Sequence, residues 1–308
     1  MTAPITDLTA RLRDQQRISP EDALQIRRIV WQDGEIDPSE ADAIFDLNGV
    51  VKSTSRDWVE FFVEAMTVYL VRQQAPQGYV DEAKAAWLMA RIDHHGRVDT
   101  LGELELLAKI LEDATSVPDT LKNYTLAQIE QVVLTGSGPT RDGGTIDPGC
   151  ITEAEVSLLR RILFAQAGDG PAIISRAEAE MLFRVKDATL GAANAPSWQK
   201  LFVQAVGNHL MAHQHYRPLS HDDATRLDRF MAEVTPSATG FLSRMASALV
   251  GKHDARAQTA KVDRKSAVAA DHIVTPSEQA WLSGAIDRDG QHDPLETALL
   301  AFIATEQG

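Results

Sequence analysis

Residues Trp281 to Leu300 read WLSGAIDRDGQHDPLETALL, and this stretch decides the fold. Just before it, Thr275-Pro276-Ser277-Glu278 opens a helix. The threonine caps, the proline suits the first helical position, and the glutamate reaches back to the capping amide. Trp281, Leu282, Ala285 and Ile286 then fall on one apolar stripe at helical spacing. Asp289-Gly290 breaks the helix, because glycine accepts the left-handed conformation that ends one. Asp293-Pro294-Leu295-Glu296 repeats the start signal, and Ala298, Leu299, Leu300, Phe302 and Ile303 supply a second apolar face. The stretch predicts a helix, a tight acidic turn and a second helix.

The same design recurs along the chain. Asp33-Gly34-Glu35-Ile36-Asp37-Pro38-Ser39-Glu40 carries the Asp-Gly turn and the Asp-Pro-x-Glu start. His95-Gly96-Arg97-Val98-Asp99 is a third instance, and Asp169-Gly170 followed by Ser175-Arg176-Ala177-Glu178 is a fourth. Between hairpins the chain predicts further helices. One is a short helix over 5–17. Another runs from Pro38 to about Leu47 and is ended by Asn48-Gly49. A third is a last helix over Pro118–Leu134. Ser55 to Gln74 is expected to be the longest helix, with Trp58, Phe61, Phe62, Ala65, Met66, Tyr69 and Leu70 in an apolar band broad enough to be buried on several sides.

Residues 135–150 are rich in Gly and Pro and nearly free of large apolar residues, so they are expected to be a linker. Beyond them the pattern restarts. Arg27-Arg28-Ile29-Val30 matches Arg160-Arg161-Ile162-Leu163, and Trp58-x-x-Phe61-Phe62-Val63 matches Trp198-x-x-Leu201-Phe202-Val203. Trp87-Leu88 with Ile92-Asp93 matches Trp281-Leu282 with Ile286-Asp287. The order is kept while the spacing widens. We therefore expect an all-α protein of two tandem related helical-bundle domains, residues 1–134 and 151–308, each with two helix–Asp/Gly turn–helix hairpins around a long central helix. The second domain would carry an insertion at about 216–272.

The chain has 308 residues, 30 basic against 44 acidic, for a net charge of −14. That balance argues against nucleic acid, whose phosphates demand a basic surface, and against anionic lipid. Cys150 is the only cysteine, so no intrachain disulfide forms. No run approaches the apolar length of a membrane span, and no signal peptide is visible. The expectation is a cytoplasmic protein without membrane insertion.

Helix, Asp-Gly turn, then Asp or Ser with Glu three residues on resembles the TerB-like domain of tellurite-resistance proteins. The resemblance rests on Asp33-Gly34 with Asp37 and Glu40, Asp169-Gly170 with Ser175 and Glu178, and Asp289-Gly290 with Asp293 and Glu296. It covers about 18–113 and 151–305, and it implies an all-helical domain linked to metal or stress responses. The turns also resemble degenerate EF-hand loops, which place oxygen ligands at positions one, three, five, nine and twelve around a glycine at six. With Gly290 at six, Asp287, Asp289, Asp293 and Glu296 fit, but Ala285 fails at position one. With Gly34 at six, Asp33, Asp37 and Glu40 fit, while Ile29 and Trp31 fail.

These acidic residues have two readings. They cap helix starts, or they form weak calcium sites at Asp287, Asp289, Asp293 and Glu296 and at Asp33, Asp37 and Glu40. His209 and His213, four apart on one helix, with His215 and His221 nearby, offer a transition-metal alternative. In that reading a zinc enzyme would use the cluster with Asp222 or Asp223. No phosphate loop, nucleophile elbow or dinucleotide fingerprint is present. The leading expectation is a non-enzymatic scaffold or stress-response sensor whose partner is another protein, with calcium as its one candidate cofactor.

Overall fold

A computed structural model shows an all-α protein; it describes residues 3–93, 95–141, 148–165, 173–212, 276–286 and 293–306. The helices are α1 (Ala3–Gln15), α2 (Pro20–Val30), α3 (Pro38–Val50), α4 (Arg56–Thr67), α5 (Glu82–Ile92), α6 (Leu101–Asp113), α7 (Asp119–Thr135), α8 (Glu153–Leu163), α9 (Arg176–Ala188), α10 (Ser197–Ala212), α11 (Pro276–Ile286) and α12 (Pro294–Glu306). The only sheet among the described residues is a parallel pair of two-residue strands, β1 (Arg17–Ile18) and β2 (Ser53–Thr54). None of the described helices is long and apolar enough to cross a membrane.

Capping chemistry sets the helix starts. Reciprocal boxes join Ser19 with Asp22, Asp37 with Glu40, Thr100 with Glu103, Thr152 with Glu155 and Ser175 with Glu178. Asp293 and Glu296 make the same exchange at the start of α12, at 3.1 and 2.9 Å. Each box satisfies two amides that a helix start otherwise leaves bare. In the second hairpin the cap is Thr100, one residue beyond the turn stretch His95 to Asp99.

Two helix ends differ from expectation. Asn48-Gly49 does not end α3, which runs on to Val50. The Asn48 side chain is buried and faces inward, accepting from Trp58 Nε1 at 3.2 Å and donating to Thr100 Oγ1 at 2.9 Å. It ties three helices together instead of stopping one. The expected single helix from Ser55 to Gln74 is α4 followed by a π-helical segment, Val68–Gln73. Its apolar band is buried as predicted: Trp58, Phe61, Phe62, Ala65, Met66, Tyr69 and Leu70 are all in the core. Burying each of the large side chains stabilises by roughly 1.5–3 kcal/mol.

The chain divides into two compact units, Met1–His209 and Leu210–Gly308. The first unit continues through the stretch read as a linker. There α7 packs against both α8 and α9, and α6 against α8. The reason is visible at Arg141, whose side chain is fully buried with that of Glu155. Its Nε and Nη2 donate to the two Glu155 carboxylate oxygens at 2.8 and 3.0 Å, and Nη2 also donates to Cys150 O at 2.8 Å. A Gly/Pro-rich composition therefore does not mean a free tether here. Charged side chains add further ties: Arg161 to Glu105 and Glu112, Lys122 to Glu178, and Arg184 to Glu130.

Packing around the two tryptophan-bearing helices is alike. Trp58 on α4 and Trp198 on α10 are both almost wholly buried. Phe45 and Phe62 meet edge to face at 5.4 Å, and Phe183 and Phe202 do so at 5.2 Å. Arg27 donates to Glu64 at 2.5 Å, and Arg160 to Gln204 at 2.8 Å. One difference is chemical. Trp58 Nε1 donates to Asn48, whereas Trp198 Nε1 has no hydrogen-bond partner among the described residues.

The second unit contributes α11 and α12. Leu282, Ala285 and Ile286 are buried on the first, and Leu299, Phe302 and Ile303 on the second. Trp87 and Trp281 are each half-buried. The expected insertion at 216–272 lies outside the described residues.

Candidate functional site: the acidic turns

The turn after α2 is the best view of an acidic site. Gly34 takes φ 84°, a conformation that L side chains rarely adopt, and this reverses the chain. Asp33 accepts from the Glu35 amide at 3.2 Å. Asp37 accepts from the Glu40 amide at 2.8 Å and from the Ser39 hydroxyl at 2.5 Å. Glu40 accepts from the Asp37 amide at 3.1 Å. The Ser39 hydroxyl and neighbouring amides hold the Asp37 carboxyl below the usual carboxylate range. Burial pushes the Glu40 carboxyl up, against the pull of the Asp37 amide. Each carboxylate thus has its own donor within the turn, and the three do not converge on one point.

Among the described residues, no group of three His, Cys, Asp or Glu side chains could hold a metal ion. In the turn before α12, Asp293 and Glu296 are engaged with each other's amides, and Asp293 also accepts from Leu295 N at 2.8 Å. Asp287 and Asp289 lie outside the described residues, as do Asp169, Gly170, His213, His215, His221, Asp222 and Asp223.

His209 is described and is buried, not a solvated helix-end residue. Its Nδ1 lies 2.9 Å from Ile174 O, so that nitrogen carries the proton and donates. Next to it, Asn208 Oδ1 accepts from Ile174 N at 3.0 Å. Consecutive residues of α10 thereby grip both backbone groups of one turn residue. The turn before α6 is held the same way: Gln128 on α7 accepts from Val98 N at 2.9 Å and donates to Gly96 O at 3.3 Å. The turn before α3 is held by Gln73, which accepts from Ile36 N at 3.3 Å.

This amide grip was not anticipated from the sequence. Each gripped residue is a buried aliphatic one or two positions ahead of a capping residue: Ile36 before Asp37, Val98 before Thr100 and Ile174 before Ser175. Its amide is buried with it and needs an acceptor, because an unpaired buried N–H costs about 1–3 kcal/mol. The available signal was an isolated Asn or Gln within a broadly apolar helix, as in LFVQAVGNHL.

The surface carries two depressions among the described residues. One, of about 410 Å³, is bordered by Arg97, Leu101, Gln131, Val132 and Gly138. Gly138 is required there, since a Cβ would meet Val132 Cγ2 at 2.4 Å. The other, of about 270 Å³, lies between α2 and α4. Comparison with protein-family models, with curated proteins and with solved structures gives no match.

Proposed function

We propose that this chain is a non-enzymatic cytoplasmic scaffold that presents rigid helical faces to another protein, with a TerB-like hairpin as its building block. One observation carries this reading. At the described turns the carboxylates serve their own backbone amides, and the turns are in turn gripped by Gln73, Gln128, Asn208 and His209. Chemistry-bearing side chains are committed to shape. A cation at the first turn would have to draw Asp37 and Glu40 off the amides they satisfy. At the turn before α12, Asp293 and Glu296 face the same competition.

We further infer that the two halves descend from one unit. The repeated Phe pairs, the Arg27–Glu64 and Arg160–Gln204 bonds and the matched buried tryptophans support that descent. An acidic chain with a single cysteine suits a reducing compartment.

Site-specific photocrosslinking in the producing cell tests the scaffold. Crosslinkers replace Leu24, Leu134 and Leu190, all of which are exposed. A discrete adduct to one protein from at least one position is the expected result. No adduct from any position would overturn the reading.

A further inference from the structure

Resting on the scaffold reading, we propose that the groove between α2 and α4 receives a basic amphipathic helix of a protein partner. Its apolar stripe would lie on the exposed Leu24, above the buried Phe61, and its Lys or Arg residues would face Glu21, Asp57 and Glu60.

The two helices lie side by side in the same direction, set by the parallel pairing of β1 and β2 immediately before them. Ala23, Ile26 and Val30 face the core, so α2 does not need Leu24 for its own packing. Leu24 is nevertheless 49% exposed, beside Pro20 and over the buried Phe61. The acids sit around it. Arg27 lines the far end but is paired to Glu64, and the Arg56–Glu60 pair is highly exposed and holds Glu60 only weakly. The groove therefore combines one exposed apolar side chain, Leu24, with a net acidic rim. Its volume of about 270 Å³ falls below the roughly 300–1,000 Å³ of small-molecule sites and suits one or two anchoring side chains.

The second half of the first unit supplies an internal comparison. There α8 and α10 repeat the frame: Arg160 to Gln204 stands for Arg27 to Glu64, and buried Leu201 stands for Phe61. At the outward positions, however, Ala154 replaces Glu21, Ser157 replaces Leu24, Ser197 replaces Asp57 and Lys200 replaces Glu60. At the Pro20 position stands Glu153, which accepts from the Ser197 hydroxyl, so the matching surface carries one acid in place of three. Helix-start electrostatics account for an acid in each first turn but not for Glu60 in the second turn of α4, nor for an exposed leucine. Those residues are what a basic, apolar ligand would read.

The test uses the full-length chain. A library displaying helical peptides is selected against it, and the enriched sequences are synthesised. The control variant combines Leu24→Ser, Asp57→Ser and Glu60→Lys, the residues that the second groove carries. The selected peptides should bear Lys or Arg beside apolar residues at i, i+3, i+4 and i+7. They should lose about tenfold in affinity for the variant and weaken with added salt. Should the triple variant unfold, Glu60→Lys alone, at an exposed position, provides the same comparison. Enriched peptides without basic residues, or equal affinity for wild type and variant, would overturn the groove. That failure would leave the scaffold reading to its own crosslinking test.

Discussion

Arg141→Ala tests whether the Gly/Pro-rich stretch is a structural joint. In the native protein, Arg141 and Glu155 have no exposed side-chain surface and share two hydrogen bonds. Removing the guanidinium leaves the Glu155 carboxylate buried, with Thr140 Oγ1 and the Thr152 amide as its donors among the described residues. Breaking a buried pair from one side costs about 3–5 kcal/mol, because the remaining charge has lost its counter-charge but not its burial. For a cooperative unit of this size, about 2–4 °C of melting temperature goes with each kcal/mol, so the variant should melt roughly 6–20 °C lower. Calorimetry of the full chain reads the loss. Adding Glu155→Gln should recover part of the loss, with a coupling of about 2 kcal/mol in a double-mutant cycle. A cost for Arg141→Ala below about 1 kcal/mol, or the absence of coupling to Glu155→Gln, would refute the reasoning.

Other expectations follow from single groups. Thr67 Oγ1 is buried with no hydrogen-bond partner among the described residues, so Thr67→Val should raise stability by about 1 kcal/mol in chemical denaturation. Gln128→Leu leaves Val98 N and Gly96 O unpaired and should cost about 1–3 kcal/mol, with faster hydrogen exchange at the Val98 amide. Asp37→Ala removes a helix cap and should cost about 1 kcal/mol at neutral pH. Since folding lowers the Asp37 pKa, that contribution is full above the ordinary aspartate range and fades as pH falls through the lowered value. Denaturation curves of wild type and variant should converge in acid.

Much of the architecture was legible because helix boundaries in this chain are written in capping chemistry. Asp37-Pro38-Ser39-Glu40 and Ser175-Arg176-Ala177-Glu178 announce α3 and α9 through local hydrogen bonds alone. The apolar band from Trp58 to Leu70 likewise announced its own burial. What depended on distant partners was not legible. Asn48-Gly49 looks like a helix stop until Asn48 finds Trp58 and Thr100. Residues 135–150 look like a tether until Arg141 finds Glu155. The acidic turns were ambiguous for a related reason. Carboxylates at these spacings suit both capping and calcium, and only coordinates show which atoms they face. The grip by Gln73, Gln128 and Asn208 spans more than 29 residues in each case, beyond any local rule.

The central claim is that the turn carboxylates serve backbone amides. It is tested most directly by titrating the full-length chain with calcium while following the backbone amide resonances of Glu35, Asp37 and Glu40. These amides donate to Asp33, Glu40 and Asp37 respectively. The account predicts that all three stay in place at millimolar calcium, about the weakest range of biological calcium sites. Saturable movement of the three together, abolished by Asp37→Ala, would contradict it.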